Sequence, residues 1–384
     1  LSNYLILKIQ PNLVKNLLIF HAGSLGDTLA AVPALRIVRN YFPNARSTML
    51  LDRQGDTPIL NAVDVLAGQG LIDEFISYDV DKSTLLTQLF SIIGQFKLLF
   101  QLRKRQFDLL VYLIQGHRRK TLNKHLLFFW TSGIRCWIGT KGFINLPQKK
   151  PGEALPSIPQ QADQLLLRLH HDGITVPTPN KGDFLLHATD QIKLAVDRWI
   201  DTVKPDIKRR WIALGPGSKM PVKIWPQERF VEVCVDLVAR HDVWPIVLGG
   251  VEDRERGEFI IRAVGRGSMA AGSLNVAEGI GLLQRCELYL GNDTGTMHMA
   301  AAAGIPCVAI FSSRDYPGNW YPYGNGHTVF RTPIECEGCM LTVCDERKMA
   351  CILAISPDQV SEAVGRILKG NHSQRINEAS GIQS

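Results

Sequence analysis

One recurring unit constrains this chain more than any other feature. A short, uninterrupted apolar run ends in a glycine-bearing turn, and a helical stretch follows. Leu17-Leu18-Ile19-Phe20 runs into His21-Ala22-Gly23-Ser24-Leu25-Gly26-Asp27. Trp211-Ile212-Ala213-Leu214 runs into Gly215-Pro216-Gly217-Ser218, and Glu287-Leu288-Tyr289-Leu290-Gly291 into Asn292-Asp293-Thr294-Gly295. Strands apolar along their whole length are buried on both faces, which implies parallel sheets covered by helices on each side. Further strands are expected at 47–51, 74–78, 107–113, 245–249 and 306–311, with helices over 84–102, 161–171, 226–240, 252–264, 295–303 and 357–369.

The pattern stops and restarts. Residues 141–160 are rich in Pro, Lys and Gly, and 172–190 carry Gly173, Pro177, Pro179, Asn180 and Gly182, a linker composition. With 384 residues there is length for two cores. The expected division is a first α/β domain over 1–185, a second over 186–370 and a disordered polar tail over 371–384. Hydrophobic residues at 45% and charged residues at 21% exclude a largely disordered chain. No apolar run reaches the roughly 18 residues a bilayer span needs, and the opening apolar stretch is too short for a secretory signal, so a cytoplasmic protein is expected. The net charge of +7 favours anionic partners but is too diffuse to require nucleic acid.

Asn292-Asp293-Thr294-Gly295-Thr296-Met297-His298-Met299-Ala300 carries the strongest chemical signal. A strand delivers the chain to a helix start, whose free N–H groups attract anions. Gly295 permits close backbone approach, and His298 follows within a turn; a plain N-cap with a packed histidine is the alternative. In the first half, Gly23 to Thr28 lacks both the Lys-Ser/Thr pair of a P-loop and the Gly-x-Gly-x-x-Gly pattern. Asp27 is its only carboxylate, suited either to general-base work or to capping the helix. The loop Gly215 to Pro226 offers Ser218, Lys219 and Lys223 to a diphosphate, or is merely exposed and basic. Glu252 and Asp253 follow Gly249-Gly250, where they could take ribose hydroxyls or start a helix.

Together these elements resemble glycosyltransferase family nine, the ADP-heptose:lipopolysaccharide heptosyltransferases. Ser24-Leu25-Gly26-Asp27, Pro33-Ala34-Leu35-Arg36 and Tyr41-Phe42-Pro43 are similar to its N-terminal motif. Asn292-Asp293-Thr294-Gly295 with His298 to Ala302 and Gly304-Ile305-Pro306 is similar to its C-terminal signature, and Lys223-Ile224-Trp225-Pro226 and Gly249 to Asp253 fall between in order. The resemblance implies a GT-B fold, two Rossmann-like doubly wound domains facing a central cleft. It implies an inverting transferase that needs no metal and moves a heptose or similar sugar from a nucleotide-diphosphate donor, ADP-linked first, to a lipopolysaccharide-core, glycolipid or related glycan acceptor. Asp27 would be the catalytic base. Ser218, Lys223, Glu252, Asp293, Thr294, Gly295 and His298 would bind the donor. Gly26 lies in the acceptor domain's motif, and Arg118, Arg119 and Lys120 could meet acceptor phosphates or form a solvated face. His21 stands where many members carry Lys or Arg. A non-catalytic nucleotide-sugar-binding scaffold and a nucleotide-sugar epimerase are the alternatives.

Two signals lie outside this scheme. Cys336-x2-Cys339-x4-Cys344-x6-Cys351 could hold a structural zinc or an iron–sulfur cluster, form disulfides, or stay reduced. Cys136, Cys234, Cys286 and Cys307 are expected in the core. The apolar stretch 84–105 ends in Arg103-Lys104-Arg105. It suits a helix packed on the sheet, or one resting peripherally on the cytoplasmic face of an inner membrane.

Overall fold

A computed structural model of the chain describes residues 10–53, 59–79, 85–116 and 119–379. The chain divides into two compact α/β units, one of residues 1–145 and 161–183, the other of 146–160 and 184–384. Both are built on a parallel sheet, as expected for two doubly wound α/β domains.

The first unit runs β1 (Asn16–Phe20), α1 (Leu25–Tyr41), β2 (Arg46–Arg53), α2 (Ile59–Leu66), β3 (Glu74–Asp79), α3 (Leu85–Arg105), β4 (Leu109–Tyr112), α4 (Arg119–Thr131), β5 (Cys136–Ile138) and α5 (Gln161–His171). The strand order is β3-β2-β1-β4-β5. The strands are parallel, with Leu18 opposite Thr48 on one side and Leu110 on the other. Chain direction across the sheet reverses between β1 and β4, and the carboxyl ends of such a pair form a ready ligand crevice. One face of the sheet is covered by α3 and α4, which bury Leu98, Leu102 and Phe129 against Leu18, Phe20, Leu110 and Tyr112.

The second unit runs α6 (Asp190–Val203), β6 (Arg210–Gly215), α7 (Gln227–His241), β7 (Val243–Val247), α8 (Arg254–Val264), β8 (Ser268–Met269), α9 (Val276–Leu283), β9 (Leu288–Asn292), α10 (Gly295–Ala302), β10 (Cys307–Phe311), β11 (Thr328–Arg331), α11 (Ala350–Leu353) and α12 (Pro357–Ala379). Its strand order is β11-β10-β9-β6-β7-β8, and the reversal here lies between β6 and β9. Leu214 pairs with Leu290 and Gly215 with Gly291, so both strands end at the same edge. The core includes Ile212, Leu214, Trp225, Phe230, Leu288 and Leu290.

The structure revises two expected boundaries. Residues 146–160 group with the second unit, because Lys149 Nζ donates to the carbonyls of Ile334 (2.9 Å) and Glu335 (2.6 Å) and the Ile158 N–H to that of Pro317 (2.9 Å). Leu155 and Ile158 are buried there. The expected tail is helical through Ala379, since nothing from Asn371 onward breaks α12; residues 380–384 lie outside the described residues. Some elements that sequence patterning passed over are short or atypical, β8 with two residues and α9 with Gly279 and Gly281, but α4 and α6, also passed over, are ordinary helices of 13 and 14 residues. No helix among the described residues is long and apolar enough to cross a membrane.

Candidate functional site

At the carboxyl ends of β6 and β9 the backbone is drawn tight by glycines. A Cβ on Gly215 would stand 1.9 Å from the Tyr289 hydroxyl, and one on Gly291 would stand 2.5 Å from the Gly215 carbonyl oxygen. The Tyr289 hydroxyl bonds Thr296 Oγ1 at 2.9 Å, tying the strand to the first turn of α10. Complete burial raises its pKa far above the ordinary phenol value, so it stays a neutral partner. Asn292 is fully buried and spans the crevice. Its Nδ2 donates to the Pro216 carbonyl at 2.8 Å, and its Oδ1 accepts the Trp225 N–H at 3.2 Å. Tyr289 and Asn292 are therefore positioning residues absent from the sequence-level candidates. A polar side chain in an otherwise aliphatic, wholly buried strand was the available signal.

Asp293 follows on the turn. Its Oδ2 lies 2.6 Å from Lys223 Nζ, with side-chain exposures of 6% and 12%. Lys223 ends a 3-10 turn, Pro221–Lys223, that the Val222 N–H fastens to the Thr342 carbonyl at 3.1 Å. Thr294 is the N-cap of α10 in extended conformation, with no capping bond from its side chain. The crevice thus brings together a largely buried cation, held by Asp293, with a helix amino terminus and a threonine hydroxyl, the parts of an anion site. Ser218 Oγ accepts the Met220 N–H at 3.3 Å, which shapes the β6 loop. His298 is buried, and its ring meets Trp320 edge-on with centroids 6.0 Å apart.

Of the two carboxylates after β7, Asp253 rather than Glu252 reaches this crevice. A Cβ on Gly217 would lie 1.6 Å from Asp253 Oδ1, whereas Glu252 is exposed beside Gly250. Asp253 Oδ2 accepts the Gly250 N–H at 3.0 Å, and burial raises its pKa above the usual carboxylate value.

In the first unit, Asp27 closes a capping box: its Oδ2 accepts the Ser24 N–H at 2.6 Å and the Ser24 hydroxyl at 2.7 Å. Oδ1 accepts no hydrogen bond from the described residues. Gly23 adopts φ +137°, and a Cβ there would strike the Asp27 carboxyl at 2.6 Å. Gly26 is buried in the first turn of α1. His21 is buried too, with Nε2 3.3 Å from Thr28 Oγ1, so it offers no exposed positive contact. Across the β1–β4 reversal, Gln115 Nε2 donates to the Asp27 carbonyl at 3.2 Å. Arg119 and Lys120 open α4 and are exposed, in a first turn without acidic residues. Cations at the positive end of a helix dipole are unfavourable unless an anion answers them. Arg118 lies outside the described residues.

Cys336, Cys339, Cys344 and Cys351 line one cavity with Val222 and Arg347, so the cluster adjoins the turn that carries Lys223. Among the described residues, however, no group of three or more His, Cys, Asp or Glu is placed to hold a metal ion. Cys339 is exposed while Cys351 is buried on α11, and all four are free thiols. Cys136 corrects an expectation. It is exposed because β5 is the sheet edge, whereas Cys234, Cys286 and Cys307 are core residues.

Comparison with known proteins bears on both units. Residues 176–350 match the family described as glycosyltransferase family 9 (heptosyltransferase). The chain is 31% identical over 118 residues to lipopolysaccharide heptosyltransferase 2 of Salmonella typhimurium, covering 28% of this chain and 33% of that protein. The match thus spans about a third of that relative. A lipopolysaccharide core heptosyltransferase of Haemophilus influenzae is 22% identical over 81% of this chain and 82% of its own length. Among solved structures, the family 9 glycosyl transferase of Veillonella parvula superposes with a TM-score of 0.71 at 19% identity, covering 93% of this chain and 98% of that one.

Proposed function

Residues 176–350 belong to glycosyltransferase family 9 (heptosyltransferase), and from that premise we propose that the chain transfers a sugar from a nucleotide diphosphate to a glycan acceptor of the lipopolysaccharide-core type. The observation that carries this reading is the pairing of Lys223 with Asp293 beside the amino terminus of α10, at the strand reversal of the second sheet. A leaving diphosphate gains negative charge as the glycosidic bond breaks. A cation and backbone N–H groups already aimed at that charge stabilise the transition state more than the ground state. Lys223, Thr294 and Gly295 take that role, with Ser218 shaping the loop and His298 packed in the first turn of the helix. When a diphosphate draws Lys223 from the Asp293 carboxylate, Lys223 and the helix amino terminus supply the positive field, so the reading requires no metal. Asp253 is the carboxylate suited to donor hydroxyls, in preference to Glu252.

On the acceptor side, Asp27 Oδ1 takes the proton of the attacking hydroxyl. The acceptor oxygen bonds to the anomeric carbon as the bond to the diphosphate oxygen breaks, and this single displacement inverts the anomeric centre. Arg119 and Lys120 suit acceptor phosphates, and Gly26 brings no side chain to the first turn of α1. The family resemblance makes ADP the first donor base to test.

Calorimetric titration with ADP, UDP and GDP, with and without EDTA, tests the donor half. Micromolar binding of one diphosphate, unchanged by EDTA and lost in Lys223→Ala, is the expected result; binding that needs a divalent ion would refute metal independence. The capping box around Asp27 favours one rival, a nucleotide-sugar-binding scaffold in which Asp27 is structural. Asp27→Asn keeps an acceptor for Ser24 but no base. The transferase reading expects turnover to fall at least about a hundredfold with donor binding retained; unaltered turnover would remove Asp27 from the chemistry.

A further inference from the structure

We propose that the outer faces of α3 and α4 seat the first unit on an anionic lipid surface. Charge is the first reason. Residues 82–145 hold eleven Lys and Arg and a single acid, Asp108, in a chain whose net charge is only +7. The rest of the chain is therefore net negative, and the positive charge is concentrated here. Asp108 does not offset it outward, because its carboxylate accepts the backbone N–H groups of Lys15 (2.8 Å) and Asn16 (2.9 Å).

Apolar exposure is the second reason. Phe96 and Phe100, one turn apart on α3, are 57% and 66% exposed, and on α4 Leu127 and Trp130 are 62% and 44% exposed. Lys97, Arg103 and Lys104 flank the phenylalanines on the exposed side of α3, and Lys124 stands one turn before Leu127. The Arg135 guanidinium lies 4.5 Å from the Trp130 ring centroid. Both helices pack on the same sheet face through Leu98, Leu102 and Phe129, so their outer sides belong to one surface. Aromatic and aliphatic side chains beside Lys and Arg, with no acid on either helix, match the boundary between headgroups and acyl chains.

The same observations discriminate between occupants. A second copy of this face would set cation against cation. A nucleic-acid strand is usually tracked along a groove, whereas these are the convex sides of two helices, and Leu127 gives a base little to stack on. Attachment is superficial, as neither helix can span a bilayer.

Sedimentation of the full chain with vesicles tests the proposal, and it needs neither donor nor turnover, so its outcome is independent of the transferase reading. Phosphatidylcholine vesicles are compared with vesicles containing about one third phosphatidylglycerol, at about 0.1 M and about 0.5 M NaCl. Binding is expected on the anionic vesicles, roughly tenfold or more weaker without phosphatidylglycerol or at high salt. Lys97→Glu with Arg103→Glu and Lys104→Glu should weaken it by a similar factor. Phe96→Ser with Phe100→Ser, and separately Leu127→Ser, should weaken it with thermal unfolding little changed, since more than half of each residue is already in solvent. Failure to bind anionic vesicles overturns the proposal, as does binding indifferent to every variant. So does a dimer or a single-stranded oligonucleotide complex that depends on the phenylalanines in place of vesicle binding.

Discussion

Gly215 shows how little freedom the crevice in the second unit leaves. Its missing Cβ makes room for the Tyr289 hydroxyl, which also bonds Thr296. Gly215→Ala is expected to destabilise the fold by about 2 kcal/mol, and Tyr289→Phe should recover part of that loss by removing the colliding oxygen. A urea-denaturation cycle of the two single variants and the double variant measures it, and strict additivity would deny the contact. Glu337 governs a second expectation. Burial alone would raise its pKa, but the Leu155 N–H and the Arg331 guanidinium hold it below the reference value of 4.5. A depressed folded pKa means stability that is complete above 4.5 and lost as pH falls through the lower folded value. Unfolding midpoints taken from about pH 6 down to about pH 3 should drop in the wild type, and the drop should be shallower in Glu337→Gln.

Among the elements, the segment 146–160 has the least regular backbone and many specific attachments. It has no helix or strand, yet Tyr316 donates to Pro147 (3.1 Å), Ser157 to Pro317 (3.1 Å) and Gln160 to Pro322 (3.2 Å), all within the second unit. Leu155 and Ile158 supply its apolar anchors. Leu155→Ala with Ile158→Ala should cost the second unit about 4 kcal/mol and open 146–160 to limited proteolysis. Unchanged protease resistance would show that the backbone bonds alone hold it. A Pro- and Lys-rich stretch reads as a loop in sequence because its partners are distant: Glu337 is 182 residues from Leu155.

For the whole molecule, two units with separate sheets should unfold as two cooperative steps. If the donor crevice binds as proposed, ADP at about a hundredfold over its dissociation constant adds about 2.7 kcal/mol to the second unit. Calorimetric scans should then show the transition of the second unit moving up while that of the first stays in place. A single transition that moves as one would mean that the units fold as one.

Sequence by itself determined the alternation of strands and helices, the two parallel sheets and the places where glycines turn strand into helix. Those follow from periodicity and turn chemistry within a few residues. Asp27, Lys223 and Asp293 were visible as candidates because each sits in such a turn. Tertiary structure alone decided that Lys223 pairs with Asp293 seventy residues on, that Asp253 rather than Glu252 faces Gly217, that Asp27 lends one oxygen to a capping box, that Cys136 is exposed at a sheet edge, and that 146–160 joins the second unit. Each depends on which distant segment arrives beside it. A side chain's chemistry is local, but its partner is chosen by strand order and packing, which no short window of sequence contains.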